Sequence, residues 1–346
     1  MRSQRRVLNA CRTPDSRRLR RALGGLLAAV CVAAMTAMAP TATGQELPDY
    51  EVGSEPLAGT IRIHGSETMK PLLEAWSVEF MRLHPDVRFE LRPEGSLLAV
   101  ASFAEKVPAI GALSRKLSDR ETEELSALGV ENVIPIPVAR DRIAVIVNPS
   151  NPITSLTLPQ LKQIFQQATA EGLRWSQLGS GSGAGDEAIV LVGPNELSGT
   201  RAAFANQVLG SAESLSDRIQ SCNSHASIIE RVLSDANAIG FLSMTWLDDS
   251  ANVVAIAESD STPALLPSIE GSQDTDPKVN YALERELYLL IRGSGELKPS
   301  LTERKFIEFV LSQQGATAVK RVRFLPLPAD RLQEARRQLL SLSSGN

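Results

Sequence analysis

Cysteine is scarce in this 346-residue chain: there are three, and Cys11 and Cys31 both fall within the first 44 residues, leaving Cys222 alone. A single thiol excludes an internal disulfide framework and a cysteine-built metal site. The chain also lacks a Gly-x-Ser-x-Gly nucleophile elbow and a His-Glu-x-x-His pair, so the hydrolase and metalloprotease chemistry of those motifs is not signalled. The glycine run from Gly179 to Gly185 has no lysine and no strand-to-helix setting, so it reads as a surface loop and not as a phosphate cradle. The one long apolar run, Leu23 to Ala39, is short for a bilayer span. No repeat or coiled-coil periodicity is present.

The apolar run follows Arg2, Arg5, Arg6, Arg12, Arg17, Arg18, Arg20 and Arg21 and precedes Ala42-Thr43-Gly44, a small-residue cleavage pattern. Residues 1–44 are therefore expected to be a secretory signal peptide, with Gln45 opening the mature chain. Without that leader the chain holds 28 Lys plus Arg against 39 Asp plus Glu. So acidic a balance excludes nucleic acid as the natural partner. The remaining roughly 300 residues exceed what one core normally serves, so two lobes are expected.

Two turns stand out. His64-Gly65-Ser66-Glu67-Thr68 and Asn195-Glu196-Leu197-Ser198-Gly199-Thr200-Arg201 each place glycine and hydroxyl residues directly before a helical pattern. The first N–H groups of a helix have no internal partner and carry the positive end of the peptide dipoles, which suits an anion. Gly95-Ser96 opens a third such helix, through Ala104. Pro71 fits only the first helical turn, which starts the first helix near Thr68 or Met69. Strands are read at Ile61 to Ile63, Val87 to Leu91, Ile110 to Leu113, Ile143 to Val147, Ile189 to Val192, Ile239 to Phe241, Val253 to Ile256 and Leu287 to Ile291. Helices alternate with them: Ser118 with Glu121 and Thr157 with Gln160 cap two, and a long one runs from Leu301 to Gln314, closed by Gly315. Strands alternating with helices give an α/β fold. His64 reads as a strand end, and His84 and His225 are assigned no chemistry.

Together, Gly65-Ser66-Glu67-Thr68-Met69, Ile110-Gly111-Ala112-Leu113-Ser114-Arg115, Asp141 with Ile143-Ala144-Val145-Ile146-Val147-Asn148, Leu156-Thr157-Leu158, Ser198-Gly199-Thr200, Ala238-Ile239-Gly240-Phe241 and Phe324-Leu325-Pro326-Leu327-Pro328-Ala329 resemble, in order, the phosphate-binding proteins of bacterial phosphate ABC transporters. The resemblance runs from about residue 58 to 335. It implies the two-lobe type II periplasmic binding-protein fold with a hinge of two crossing segments: lobe I from 58–142 and 253–336, lobe II from 143–252. It further implies a protein that carries inorganic phosphate to a membrane ABC permease; the leader makes it periplasmic, no cofactor or metal is expected, and a monomer is expected because a cleft protein must open and close and no apolar stripe marks a permanent interface. A binder or sensor of another oxyanion, or a secreted phosphatase-like or surface-interaction protein on the same scaffold, is the alternative.

The ligand donors implied by the resemblance are Ser66, Thr68, Ser96, Ser114, Ser198, Gly199 and Thr200. The chain departs from the family at Pro194, where an arginine is common, and Arg115 and Arg201 are the candidates to replace that guanidinium. Telling monohydrogen phosphate from sulfate also takes an acceptor. Asp141, Glu67 and Glu196 are candidates, Asp141 first because it precedes the expected hinge strand.

Overall fold

The computed structural model describes residues 47–341 apart from 106, 108, 167–171, 179–186, 211–214 and 269–279. The expected leader and the Gly179 to Gly185 loop lie outside the described residues. In chain order the elements are β1 (Ala58–Gly65), α1 (Lys70–Leu83), β2 (Asp86–Arg92), α2 (Ser96–Ala104), β3 (Ile110–Leu113), α3 (Asp119–Ala127), β4 (Val133–Val147), β5 (Ser155–Thr157), α4 (Leu158–Phe165), β6 (Val190–Pro194), α5 (Gly199–Leu209), β7 (Gln220–Cys222), α6 (His225–Leu233), β8 (Ala238–Ser243), β9 (Asn252–Ala257), β10 (Glu284–Arg292), α7 (Leu301–Val310), α8 (Gln313–Arg321) and α9 (Ala329–Ser341). No helix among the described residues is long and apolar enough to cross a membrane.

The strands form a continuous curled sheet in the order β2-β1-β3-β10-β4-β8-β6-β7, with β9 on the other edge of β4 and β5 beside it. β4 joins the two lobes. Its first part, Val133 to Arg142, pairs antiparallel with β10, and its last part, Ile143 to Val147, pairs with β8. The sequence pattern shows only that last part as a strand, because Pro135 and Pro137 interrupt the first. They are tolerated because they stand two residues apart, so both missing N–H groups fall on the edge of β4 away from β10.

Helices cover both faces of the sheet in each lobe. In lobe I, Trp76 and Phe80 of α1 pack with Phe306 and Phe309 of α7 on one face, while Phe103, Leu113 and Leu290 cluster on the other. In lobe II, Phe165, Phe204 and Phe241 pack together, with the Phe204 and Phe241 rings stacked at 3.9 Å, and Ile228 and Val232 of α6 cover the opposite face. Segment 47–57 also docks: Tyr50 packs edge-on against Phe309 and its hydroxyl lies 2.9 Å from His84 Nε2.

Two expectations shift. The long helix after Leu301 breaks into α7 and α8 because Ser312 caps a new helix by accepting the Gly315 N–H, so Gly315 lies inside α8 and does not close the first one. The second lobe boundary, expected at 253, lies near Leu283. β9 pairs with the lobe II end of β4 and with β5, and Tyr281 and Leu283 are buried in the lobe II core. The crossing segments meet where the Ile143 N–H donates to the Leu283 carbonyl at 2.9 Å and the Tyr281 hydroxyl donates to the Ile143 carbonyl at 2.9 Å. Arg140 and Arg142 both pair with Glu284 beside this junction.

Because Phe204 is fully buried in the lobe II aromatic cluster, Phe204→Ala is expected to cost about 3–5 kcal/mol of stability, read as a lower urea midpoint.

Candidate functional site

Four turns from both lobes converge. Gly65 closes β1 with φ +138°, and a Cβ there would lie 2.1 Å from the Ala112 carbonyl oxygen, so only glycine fits. That close approach lets the Ser66 N–H donate to the Ala112 carbonyl at 2.8 Å and sets Ser66 and Thr68, both buried, just before α1. A single 3₁₀ turn, Glu67–Met69, leads into α1, which starts at Lys70 with Pro71 in its first turn. The Gly95 N–H donates to the Gly65 carbonyl at 2.7 Å, which places Ser96 at the start of α2 beside the first turn. Ser114 ends β3, and its N–H donates to Ser96 Oγ at 3.1 Å.

Ser198 caps α5 by accepting the Thr200 N–H at 3.1 Å and brings Gly199 and Thr200 against lobe I. Gly199 sits against both serines: a Cβ there would lie 2.2 Å from Ser96 Oγ and 2.5 Å from Ser114 Oγ. Across the seam, Thr68 Oγ1 lies 2.9 Å from Thr200 Oγ1, and the Leu97 N–H donates to the Leu197 carbonyl at 3.2 Å. The lobes are closed upon each other. A residual cavity of about 50 Å³ is lined by, among others, Ser66, Glu67, Ser198, Gly199 and His225.

The charged groups fall differently from the sequence expectation. Arg115 is not at the centre: its guanidinium forms a bidentate pair with Glu121 at 2.6 and 2.7 Å. Arg201 donates to the Pro194 carbonyl at 3.2 Å and lies near the carboxylates of Glu196 and Asp217. The guanidinium at the centre belongs to Arg285, which opens β10. Its Nη2 donates to Thr200 Oγ1 at 2.9 Å and to Asp141 Oδ2 at 2.7 Å, its Nε donates to the same carboxylate oxygen at 3.1 Å, and its buried Nη1 has no partner among the described residues. Sequence reasoning missed it because an arginine at a strand's start has no local motif; its register position directly opposite Asp141 is the signal, and register is visible only in the folded sheet.

Asp141, expected as an acceptor for the ligand, is fully engaged. Oδ2 takes both Arg285 bonds and Oδ1 accepts from Ser243 Oγ at 2.9 Å. Burial pushes its carboxyl up while Arg285 and Ser243 pull it back. Glu67 spans the seam: its carboxylate accepts the backbone N–H of His225 at the start of α6, and burial raises its carboxyl. Glu196 stays in the Asn195 turn, outside this cluster.

His225 also belongs to the site, although the sequence reading assigned it nothing. The residue is 2% exposed, Nε2 lies 3.2 Å from Thr68 Oγ1, Nδ1 has no partner among the described residues, and Trp246 stacks on the ring with centroids 5.5 Å apart. A helix-opening histidine in a loop-to-helix turn gives no sequence signal beyond the Ser224 cap. Cys222 lies half-buried at the cavity rim, with burial raising its thiol. No group of three His, Cys, Asp or Glu side chains able to hold a metal occurs among the described residues.

Chemically, the arrangement offers hydroxyls from Ser66, Thr68, Ser96, Ser114 and Thr200, three helix starts and one buried guanidinium around one point between two closing lobes. That is the architecture of a solute-binding protein. The chain belongs to the family described as the PBP superfamily domain, whose profile matches residues 51–314. It is 27% identical over 308 residues to the phosphate-binding protein PstS of Pseudomonas aeruginosa, covering 88% of this chain and 94% of that one. A candidate phosphate ABC transporter substrate-binding protein from Clostridium perfringens, solved with bound phosphate, superposes with a TM-score of 0.64 at 28% identity, covering 78% of this chain and all of that one. An ABC-type phosphate transport receptor from Vibrio cholerae shares the fold at a TM-score of 0.61 and 22% identity, over 77% of this chain and all of that one.

Two outcomes follow from the geometry. Gly199→Ala places a methyl on two buried serine hydroxyls, so it is expected to hold the lobes apart, seen as a larger radius of gyration by small-angle X-ray scattering. Burial and the nearby Arg285 push the His225 ring from 6.5 down to about 3. The unfolded chain therefore takes up a proton below pH 6.5 that the folded chain refuses, so this stabilisation is complete above pH 6.5 and falls as the pH drops toward 3. Between pH 7 and pH 5 the loss is about 2 kcal/mol, and His225→Gln should remove that part of the pH dependence of the urea midpoint.

Proposed function

We propose that the protein captures inorganic phosphate in its interlobe cleft and hands it to a membrane ABC permease, acting as an exported, periplasmic and monomeric solute-binding protein and not as an enzyme. The carrying observation is the chain Thr68, Thr200, Arg285 across the seam, with Arg285 Nη1 buried and still free to donate. A group buried with unused donor capacity is costly unless a ligand engages it. The relatives named for phosphate, and the Clostridium perfringens protein with phosphate bound, support the same ligand.

Arg285 stands in for the arginine common at the position of Pro194. Its charge is offset by Asp141, so the site keeps little net charge and holds an anion chiefly by short, directed hydrogen bonds, as an acidic protein must. The donors are already aimed at one point, which keeps the ordering cost of binding low. Pro194 keeps one rival open, a binder of a different oxyanion.

Calorimetric titration with phosphate, arsenate and sulfate decides between these readings. Phosphate is expected to bind, and Thr200→Val to weaken it about tenfold, the worth of one hydrogen bond in the central chain. Heat with another oxyanion and none with phosphate would shift the assignment to the rival.

A further inference from the structure

Selecting phosphate over sulfate takes a hydrogen-bond acceptor, because at neutral pH monohydrogen phosphate keeps a proton and sulfate has none. The carboxylates around Thr68 and Thr200 already hold protein partners. Asp141 uses both oxygens on Arg285 and Ser243, and Glu67 takes the His225 backbone N–H. Ser243 Oγ donates to Asp141 and accepts the Thr245 N–H. The His225 ring is different. It is buried, it reaches Thr68 Oγ1 through Nε2, and its other nitrogen is unpartnered.

We infer that His225 is the specificity-determining residue of this cleft, accepting the proton of a protonated oxyanion at its unpartnered Nδ1, in the tautomer whose Nε2–H donates to Thr68 Oγ1. The inference rests on the phosphate reading above. A neutral imidazole has one donor and one acceptor nitrogen, whereas an imidazolium has two donors and would suit sulfate as well as phosphate. The surroundings keep the ring neutral. Trp246 stacks on one face, Arg285 lies close enough to oppose a second positive charge, and the Glu67 carboxylate accepts the backbone N–H of the same residue and not a ring N–H. Specificity is thus carried by a group of lobe II that meets Thr68 of lobe I only when the lobes close, so the test of the ligand's proton is made at closure.

The experiment is calorimetric titration of wild type, His225→Leu and His225→Gln with phosphate, arsenate and sulfate at pH 7.5. Wild type is expected to prefer phosphate and arsenate over sulfate; His225→Leu should lower the phosphate-to-sulfate ratio at least tenfold, and His225→Gln, which keeps an acceptor oxygen, should restore most of it. A wild-type protein that takes sulfate as tightly as phosphate, or a His225→Leu protein with the wild-type ratio, overturns the inference and leaves phosphate capture standing. Absence of phosphate binding in wild type overturns the function itself. Nitrogen-15 spectra of the wild-type histidine rings need no variant: a lone pair on His225 Nδ1 in the phosphate complex is expected, and a proton on Nδ1 there would sink the assignment.

Discussion

The buried pair of Asp141 and Arg285 is the constraint from which the site takes its form. The two residues face each other in register on β4 and β10, Asp141 immediately before the chain crosses to lobe II and Arg285 immediately after it returns. Their side chains are 0% and 3% exposed, so neither charge is tolerable alone and each holds the other in place. From that fixed point Arg285 reaches Thr200 of lobe II, and Asp141 accepts from Ser243 of lobe II. One ion pair thereby ties hinge register, lobe closure and ligand donors together, and Glu284, gripped by Arg140 and Arg142, clamps the strand beside it.

Around that pair the polar groups are short and mostly uncharged. Serine and threonine hydroxyls lose little freedom when ordered, and their backbones sit at helix starts where N–H groups are unpaired in any case. Gly65 and Gly199 permit the close approach that longer side chains would block. The result is a small polar centre inside an acidic protein, in which reach and direction, not net charge, hold the guest.

Much of this was legible in the residue order. Apolar alternation marked β1, whose Ile61 and Ile63 are both buried, and helical spacing marked α1, with Leu72, Leu73, Trp76 and Phe80 inside. The capping boxes at Ser118 and Thr157 stand as read. All four hydroxyl turns lie together. Most of the misreadings share a cause, which is that their deciding partners lie on another element of the fold. Pro135 and Pro137 conceal half of β4 until β10 is seen on its other edge; Arg115 finds Glu121 on the following helix; Arg285 and Asp141 are 144 residues apart. The lobe boundary moved from 253 to Leu283 because β9 completes the sheet of lobe II.

Local chemistry, then, settled in the sequence most of the strands and helices, where most of the helices open, and that hydroxyl and glycine turns stand at helix starts, since each of these depends on neighbours a few residues away. Tertiary structure alone decided which arginine stands at the centre, that Asp141 is engaged by a cation and a serine, and that His225 faces Thr68. Those choices depend on strand register and lobe closure, which bring together groups whose separation along the chain carries no mark of their meeting.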